Sequence, residues 1–315
     1  MSWFVLSLIT MLGWGFADLF YKKGTDEEDG QSHLKIAVWV GLVMGACALI
    51  LLPFTETSFS LSSFLTNAVK YSPASLAYIL SMVIGYAGLR YLEVSIISPV
   101  QNASGAFSMI VMLVYFAVTG TLASFWEEFA WLDVIGTVLI IIGVVALAIL
   151  EHRWHATVVS DNKYRFSALA LLFPIAYCLF DTIGTAADGI ILDDNGLGLG
   201  EIDVLVLYGL TFFAAGILAY LYMLIRNRKL YNPFAASERN KCFAALFEEC
   251  GQIFYVYAMA SRPILAAPLV ASYCIVSVIL SRIFIKEKLK GSQYACVFTV
   301  ITGIVLLGIS EGLNS

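Results

Sequence analysis

The sequence predicts an all-α integral membrane protein with ten transmembrane helices, arranged as two inverted repeats of five helices. Three observations predict this fold class. Of the 315 residues, 60% are hydrophobic and only 13% are charged, whereas soluble domains have roughly 25% charged residues. The apolar residues fall into blocks of about 20, which as helices match a hydrocarbon core of about 30 Å. Residues of the same type also recur at matching positions in the two halves. The composition excludes a soluble enzyme, a disordered chain and a nucleic-acid-binding protein with a basic face.

Ten apolar blocks follow one another along the chain, and we expect each to be a helix because backbone groups in lipid must be bonded within their own segment. The blocks cover residues 3–21, 34–53, 73–91, 94–118, 131–150, 166–190, 203–225, 242–260, 264–285 and 294–312. Residues 55–71, which are rich in serine and threonine, have room for a short interfacial helix. The blocks predict a first five-helix repeat over 1–150, a cytoplasmic linker over 151–165 and a second repeat over 166–315.

The lysines and arginines predict the orientation of the chain. With ten spans, 16 of the 18 basic residues lie in loops on one side, and only Lys70 and Arg262 lie on the other. The positive-inside rule places the basic side in the cytoplasm. We therefore expect both termini to face outward, in a multi-pass protein of a bacterial plasma membrane.

An internal repeat relates the two halves. The matched residues share their type and their helical spacing. They are Trp14 with Tyr177 and Asp18 with Asp181 at an offset of 163, and Tyr86 with Tyr255 and Pro99 with Pro268 at an offset of 169. Because each repeat holds an odd number of spans, the two repeats must cross the membrane in opposite orientations.

Several motifs occur in the same order in both halves. They are the aromatic–glycine start of the first helix (Trp14, Gly15), the turn LRYLEVSIISPV, and the acidic turns WEEFAWLDVIGTVLIIIGVV and IKEKLKGSQYACVFTVITGIVLLG. This order resembles the EamA-like family of the drug/metabolite transporter superfamily. The resemblance implies a secondary transporter with a central cavity lined mainly by helices 1, 3, 4, 6, 8 and 9, and with helices 5 and 10 at the periphery. The familiar bacterial arrangement has cytoplasmic termini, so the charge distribution departs from it. Whether the chain forms a homodimer through its peripheral helices is left open by the sequence.

Ionisable residues inside a span are costly and are functional candidates by default. Asp18 is the first of them, and Trp14 and Tyr21 share its helical face. A carboxylate between two aromatic rings suits a gate or a cation site at the inner mouth. The alternative is an interfacial acid that pairs with Lys22 or with a lysine in a loop.

Asp181 is the repeat mate of Asp18, and we expect it near the outer mouth with Tyr177 and Thr185 on its face. The two carboxylates would then mark opposite ends of one pathway. The alternative is an acid solvated at the outer end of the span, where Asp188, Asp193 and Asp194 continue the solvated run.

Glu248 and Glu249 interrupt the eighth block, where the third block, their repeat partner, has isoleucine and leucine. One of them can face the cavity beside Gln252 and Tyr255, and the other must pair elsewhere or be protonated. Because burial disfavours the charged form of a carboxylate, the pair suits proton binding and release. The alternative is a hydrogen bond between helices with no role in transport.

The remaining candidates are uncharged polar and aromatic residues in the third, fourth and ninth blocks. Tyr86, Asn102, Ser104, Ser272 and Tyr273 are candidate cavity donors, although small polar residues also serve ordinary helix packing.

The leading function is secondary transport of a small polar or cationic metabolite, such as an amine or an amino acid, by alternating access, with protons as a candidate coupling ion. The chain has no nucleotide-binding motif such as GxxxxGK[ST], no HExxH or GxSxG motif and no metal-ligand spacing. We therefore expect a non-enzyme with no cofactor, metal or nucleic-acid partner. The alternative is a channel or facilitator for a small solute. An intramembrane enzyme or an accessory subunit is a further alternative.

Overall fold

The computed structural model describes residues 1–26, 28–55, 61–92, 94–122, 124–158, 172–193, 198–286 and 290–314. The secondary structure in these ranges is helical. The longer helices are α1 Trp3–Gly24, α2 Ser32–Leu51, α3 Leu61–Gly88, α4 Val94–Asn102, α5 Ser104–Thr119, α6 Trp131–Val158, α7 Leu172–Leu192, α8 Glu201–Asn227, α9 Arg239–Ser261, α10 Pro263–Ala271, α11 Tyr273–Leu280 and α12 Gly291–Asn314. One-turn helices lie at Leu52–Phe54, Phe125–Glu128 and Ala236–Glu238, and a π-helical turn at Ser281–Ile285 extends α11.

Eight helical stretches in the described ranges are long and apolar enough to cross a membrane. They correspond to every predicted block except the third and the eighth. Those two blocks form α3 and α9, which have 28 and 23 residues but are more polar. The prediction of an all-α, multi-pass membrane protein is therefore confirmed, while the count of ten spans and the inverted repeat stay predictions.

Two predicted spans are broken in the middle. The block 94–118 forms α4 and α5 with a break at Ala103, and the block 264–285 forms α10 and α11 with a break at Ser272. A proline lies four residues before each break, and proline removes one hydrogen bond from a helical backbone. Ala103 and Ser272 are separated by 169 residues, the offset of the sequence repeat.

Helices of the first half pack along helices of the second half. The long pairs are α1 with α9, α2 with α8, α3 with α7 and α6 with α12, and the broken spans α4–α5 and α10–α11 also pack on each other. Glycines bring two of these pairs close: a Cβ on Gly13 would lie 3.0 Å from the Gly251 Cα, and one on Gly41 would lie 2.9 Å from the Gly216 Cα. Small residues at such crossings let helix backbones approach in lipid.

Burial differs between the spans. In the apolar stretch of the broken span Pro263–Ile285, 83% of the residues are buried, against 39% for Trp131–Leu150 and 33% for both Gly291–Leu313 and Ile97–Thr119. Most residues of α6 and α12 are therefore not buried, which agrees with the peripheral position that the resemblance implied for the fifth and tenth helices, but the broken span α4–α5 is no more buried than they are.

Two boundaries differ from the prediction. The helix α3 begins at Leu61, so residues 61–71 are its first turns and form no separate interfacial helix. The helix α6 continues to Val158, into the segment 151–165 that was predicted as a linker. The rest of that linker and the start of the sixth block lie outside the described residues, and the division into two domains stays a prediction.

Candidate functional site

A small cavity of about 50 Å³ lies at the centre of the bundle. Its walls come from α1, α3, α4, α5, α7, α9, α10 and α11, with a single residue from α8. All the predicted site residues except Glu249 and Ser272 line it. They are Trp14, Asp18, Tyr21, Tyr86, Asn102, Ser104, Tyr177, Asp181, Glu248, Gln252, Tyr255 and Tyr273.

The cavity is acidic. Three carboxylates line it, from Asp18, Asp181 and Glu248, and none of the described lining residues is a lysine, an arginine or a histidine. Glu248 is 7% exposed. In such a buried space an ionised carboxylate needs a cation, a proton or hydrogen-bond donors to be stable.

Two serines hold the carboxylate of Asp18. Ser98 on α4 and Ser277 on α11 each donate a hydrogen bond to Oδ2, both at 2.7 Å. The amide of Asn102 in turn donates to the backbone oxygen of Ser98 at 2.8 Å. The hydroxyl donors that orient Asp18 therefore come from both broken spans. The Lys22 Nζ, one turn further along α1, donates to the backbone oxygens of Leu89 and Leu92 beyond the end of α3.

Asp181 has a matching arrangement on α7. Ser104, the first residue of α5, donates a hydrogen bond to its Oδ2 at 2.6 Å. Ser108, one turn further along α5, donates to the backbone oxygen of Thr182 at 3.2 Å. The first turns of α5 thus hold both the side chain and the backbone of α7 at this point. Asp181 lines the central cavity, which favours its reading as a pathway residue over the alternative of an acid solvated at the outer end.

The two adjacent glutamates face different partners. Glu248 lines the cavity with Gln252 and Tyr255, which follow it at four and seven residues on α9. Glu249 lies about 100° further round the helix, where it faces the Cys47 thiol on α2. The sequence left open which of the two faces the cavity; here it is Glu248, because the packing of α9 between α1 and α2 directs Glu249 away.

Ser272 is the second predicted residue that does not line the cavity. It occupies the break between α10 and α11, is fully buried, and donates to the backbone oxygen of Leu269 and to the Met11 sulfur. Its hydroxyl is used inside the bundle, so its contacts are those of a packing residue.

Aromatic rings form much of the cavity wall. The Trp14 indole lies 5.1 Å from the Tyr255 ring and 5.6 Å from the Tyr273 ring, measured between centroids, and its Nε1 donates to the Glu248 backbone oxygen at 3.1 Å. Tyr21 and Tyr86 form a second pair, with centroids 4.8 Å apart and hydroxyls 3.3 Å apart. Carboxylates beside aromatic faces form a surface that can hold an ammonium group.

Sequence reasoning missed three residues of this region. Tyr78 and Tyr208 line the cavity, and Asp188, expected to be solvated, is fully buried beside it. A signal for Tyr78 was present, because Tyr71, Tyr78 and Gly85 recur every seven residues and so share one helical face. No comparable spacing marks Tyr208.

The fold and the cavity define a multi-pass helical membrane protein with an acidic, aromatic central chamber. The sequence profile of the EamA-like transporter family matches residues 195–309, which lie within the predicted second repeat. This part of the chain is similar to that family, part of the drug/metabolite transporter superfamily, which confirms the resemblance.

A solved crystal structure shares the fold. It aligns over 99% of this chain and 99% of its own, with a TM-score of 0.60 and 12% sequence identity. No curated protein matches the chain.

Proposed function

We propose that the protein is a secondary transporter that carries a small polar or cationic metabolite, such as an amine or an amino acid, by alternating access around the central cavity. One observation carries the proposal: the carboxylates of Asp18, Asp181 and Glu248 share the central cavity with aromatic faces and with no basic side chain among its described lining residues. An ammonium group would neutralise this charge and stack against Trp14 or a tyrosine.

The same carboxylates support proton coupling. When no cationic cargo is present, a buried carboxylate is stabilised by binding a proton, so protons and cargo compete for the same oxygens. Such competition exchanges cargo for protons across the membrane. Glu248 is the strongest candidate for this exchange, because two serines hold Asp18 and one serine holds Asp181.

The broken spans support alternating access. Ala103 and Ser272 interrupt the two spans that contact each other at the centre, close to the residues that hold Asp18 and Asp181. Rocking of one half against the other needs such joints beside the cargo, and discontinuous spans at the site are a known device of secondary transporters.

Ligand binding tests the recognition step. Purified protein is screened by thermal unfolding against primary amines, amino acids, nucleosides and quaternary ammonium compounds. We expect a cation to stabilise the wild type and to lose most of its effect on Glu248→Gln, because the amide carries no charge. Glu249→Gln is the matched control, since this neighbouring side chain faces Cys47 instead of the cavity. Equal stabilisation of wild type and Glu248→Gln would contradict carboxylate recognition.

Uptake into proteoliposomes tests transport and coupling. We expect saturable uptake of the stabilising compound, driven by a pH gradient in the wild type and less sensitive to that gradient in Glu248→Gln. Flux that does not saturate would contradict a transporter and favour a channel. Saturable uptake that does not respond to the gradient would contradict proton coupling but would still agree with a carrier.

A further inference from the structure

Asp188 is a second buried acidic site, separate from the central cavity. It lies seven residues after Asp181 on α7, two turns and about 10 Å further along the helix, and it is fully buried. It does not line the cavity, whereas Thr185, one turn before it, does. Both oxygens of its carboxylate lack a hydrogen bond of ordinary geometry among the described residues, and so does the Tyr71 hydroxyl.

The groups around Asp188 are hydroxyls and acids. Tyr71 and Tyr78 on α3, and Tyr255 on α9, turn their hydroxyls to the carboxylate. Asp181 on α7 and Tyr208 on α8 lie further from the Asp188 carboxylate and interact with it electrostatically. These facing groups are neutral or negative, so none of them supplies a positive charge to an ionised Asp188. Tyrosine hydroxyls can donate hydrogen bonds, but neither carboxylate oxygen accepts one of ordinary geometry among the described residues. A carboxylate in such surroundings is stabilised by a proton, or by water or a cation that reaches it.

The tyrosines separate this acid from the cavity. The hydroxyls of Tyr78 and Tyr255 lie 2.8 Å apart and share a hydrogen bond, and Tyr78 also donates to the Thr185 hydroxyl at 3.3 Å. This bonded group joins α3, α7 and α9 between the cavity and Asp188. Parting of these three helices at this end of the bundle would let water from the cavity reach the carboxylate.

We propose that Asp188, enclosed by Tyr71, Tyr78 and Tyr255, is a proton-binding site whose occupancy is tied to the closure of this end of the bundle. When the three helices are closed, the acid holds its proton. When they part, water enters, the O–H bond breaks, the proton leaves to water and the carboxylate remains ionised. Re-closure requires that a proton bind again. The site would thus couple one proton to each opening, and the inference rests on the proposed alternating access.

Infrared difference spectra between acidic and alkaline buffer test the proton itself. We expect the wild type to show the carbonyl band of a protonated, buried carboxylic acid, and Asp188→Asn to lose that band. Asp133→Asn is the matched control, because Asp133 is also buried but already accepts a hydrogen bond from the Ala130 backbone at 3.0 Å. If Asp188→Asn fails to fold, Tyr71→Phe replaces it, and a shift of the same band is expected. An unchanged band in both variants would overturn the proposal.

Transport separates this inference from the proposed function. In Asp188→Asn we expect counterflow, the exchange of labelled for unlabelled cargo without a gradient, to continue, while accumulation driven by a pH gradient falls clearly below the wild-type level. Accumulation by the variant at the wild-type level would overturn the Asp188 site and leave the transporter intact. Absence of counterflow in the wild type for the whole cargo panel would instead refute the proposed function.

Discussion

Gly251 fixes the position of the Trp14 indole, and its replacement by alanine is a demanding test of the cavity wall. A Cβ at Gly251 would lie 2.4 Å from the Trp14 Cδ1 and 2.6 Å from its Nε1. The indole has little room to move, because Tyr255 and Tyr273 pack on it and its Nε1 is bonded to the Glu248 backbone.

Three terms set the expected size of the effect. Overpacking a filled site costs about 1–3 kcal/mol. Loss of the indole hydrogen bond adds about 0.5–1.5 kcal/mol. Replacing glycine by alanine inside a helix stabilises the helix by about 1 kcal/mol, which offsets part of this cost. We therefore expect Gly251→Ala to lower the free energy of unfolding by about 0.5–3.5 kcal/mol.

The assay is the free energy of unfolding in mixed micelles, measured for Gly251→Ala in two backgrounds. In a Trp14→Ala background the clash and the hydrogen bond are both gone, so the same substitution should stabilise the protein by up to about 1 kcal/mol. Gly312→Ala, where a Cβ would meet nothing within 4 Å, controls for helix propensity. An equal cost of Gly251→Ala in both backgrounds would refute the assignment of the clash to Trp14.

Two further predictions concern the basic residues and the orientation. Lys22→Met removes a charged donor that binds the backbone oxygens of Leu89 at 2.8 Å and Leu92 at 3.1 Å, and we expect it to cost about 1–3 kcal/mol of unfolding free energy. The exposed Lys23→Met should cost less, and an equal loss in the two variants would contradict the role of Lys22 in tying α1 to α3. Ser2→Cys, in a background that lacks the exposed Cys250 thiol, should react with an impermeant thiol reagent only from outside the cell. Labelling only from the cytoplasmic face would reverse the predicted orientation.

Much of the fold was predictable because the lipid solvent makes long apolar runs unambiguous. The site was predictable where charge is scarce: Asp18, Asp181 and Glu248 stand out in apolar blocks, and all three line the cavity. Helical spacing also identified the neighbours of Glu248, because Gln252 and Tyr255 follow it on one face.

The remaining features depend on contacts between helices, which spacing along one helix does not encode. Glu248 and Glu249 are equivalent candidates until α1 and α2 are placed on either side of α9. Asp188 precedes a run of acids, so its position in the sequence predicts a solvated residue. The residues that bury it, Tyr71 and Tyr78, lie on another helix. The break at Ser272 likewise removes its hydroxyl from the cavity by giving it a partner at Leu269.

The polar character of α3 and α9 has a consequence for how the protein is made. A helix that carries Glu248 and Glu249 is costly to leave alone in lipid and needs a neighbour when it enters the membrane. Its packing partner α1 is synthesised long before it and is already in place. The partner of α3 is α7, which is synthesised after it. The hydroxyls of Tyr71 and Tyr78 therefore reach their polar neighbours on α7 only after the second half of the chain has been made. The two halves are therefore translated in succession, but their assembly is completed together.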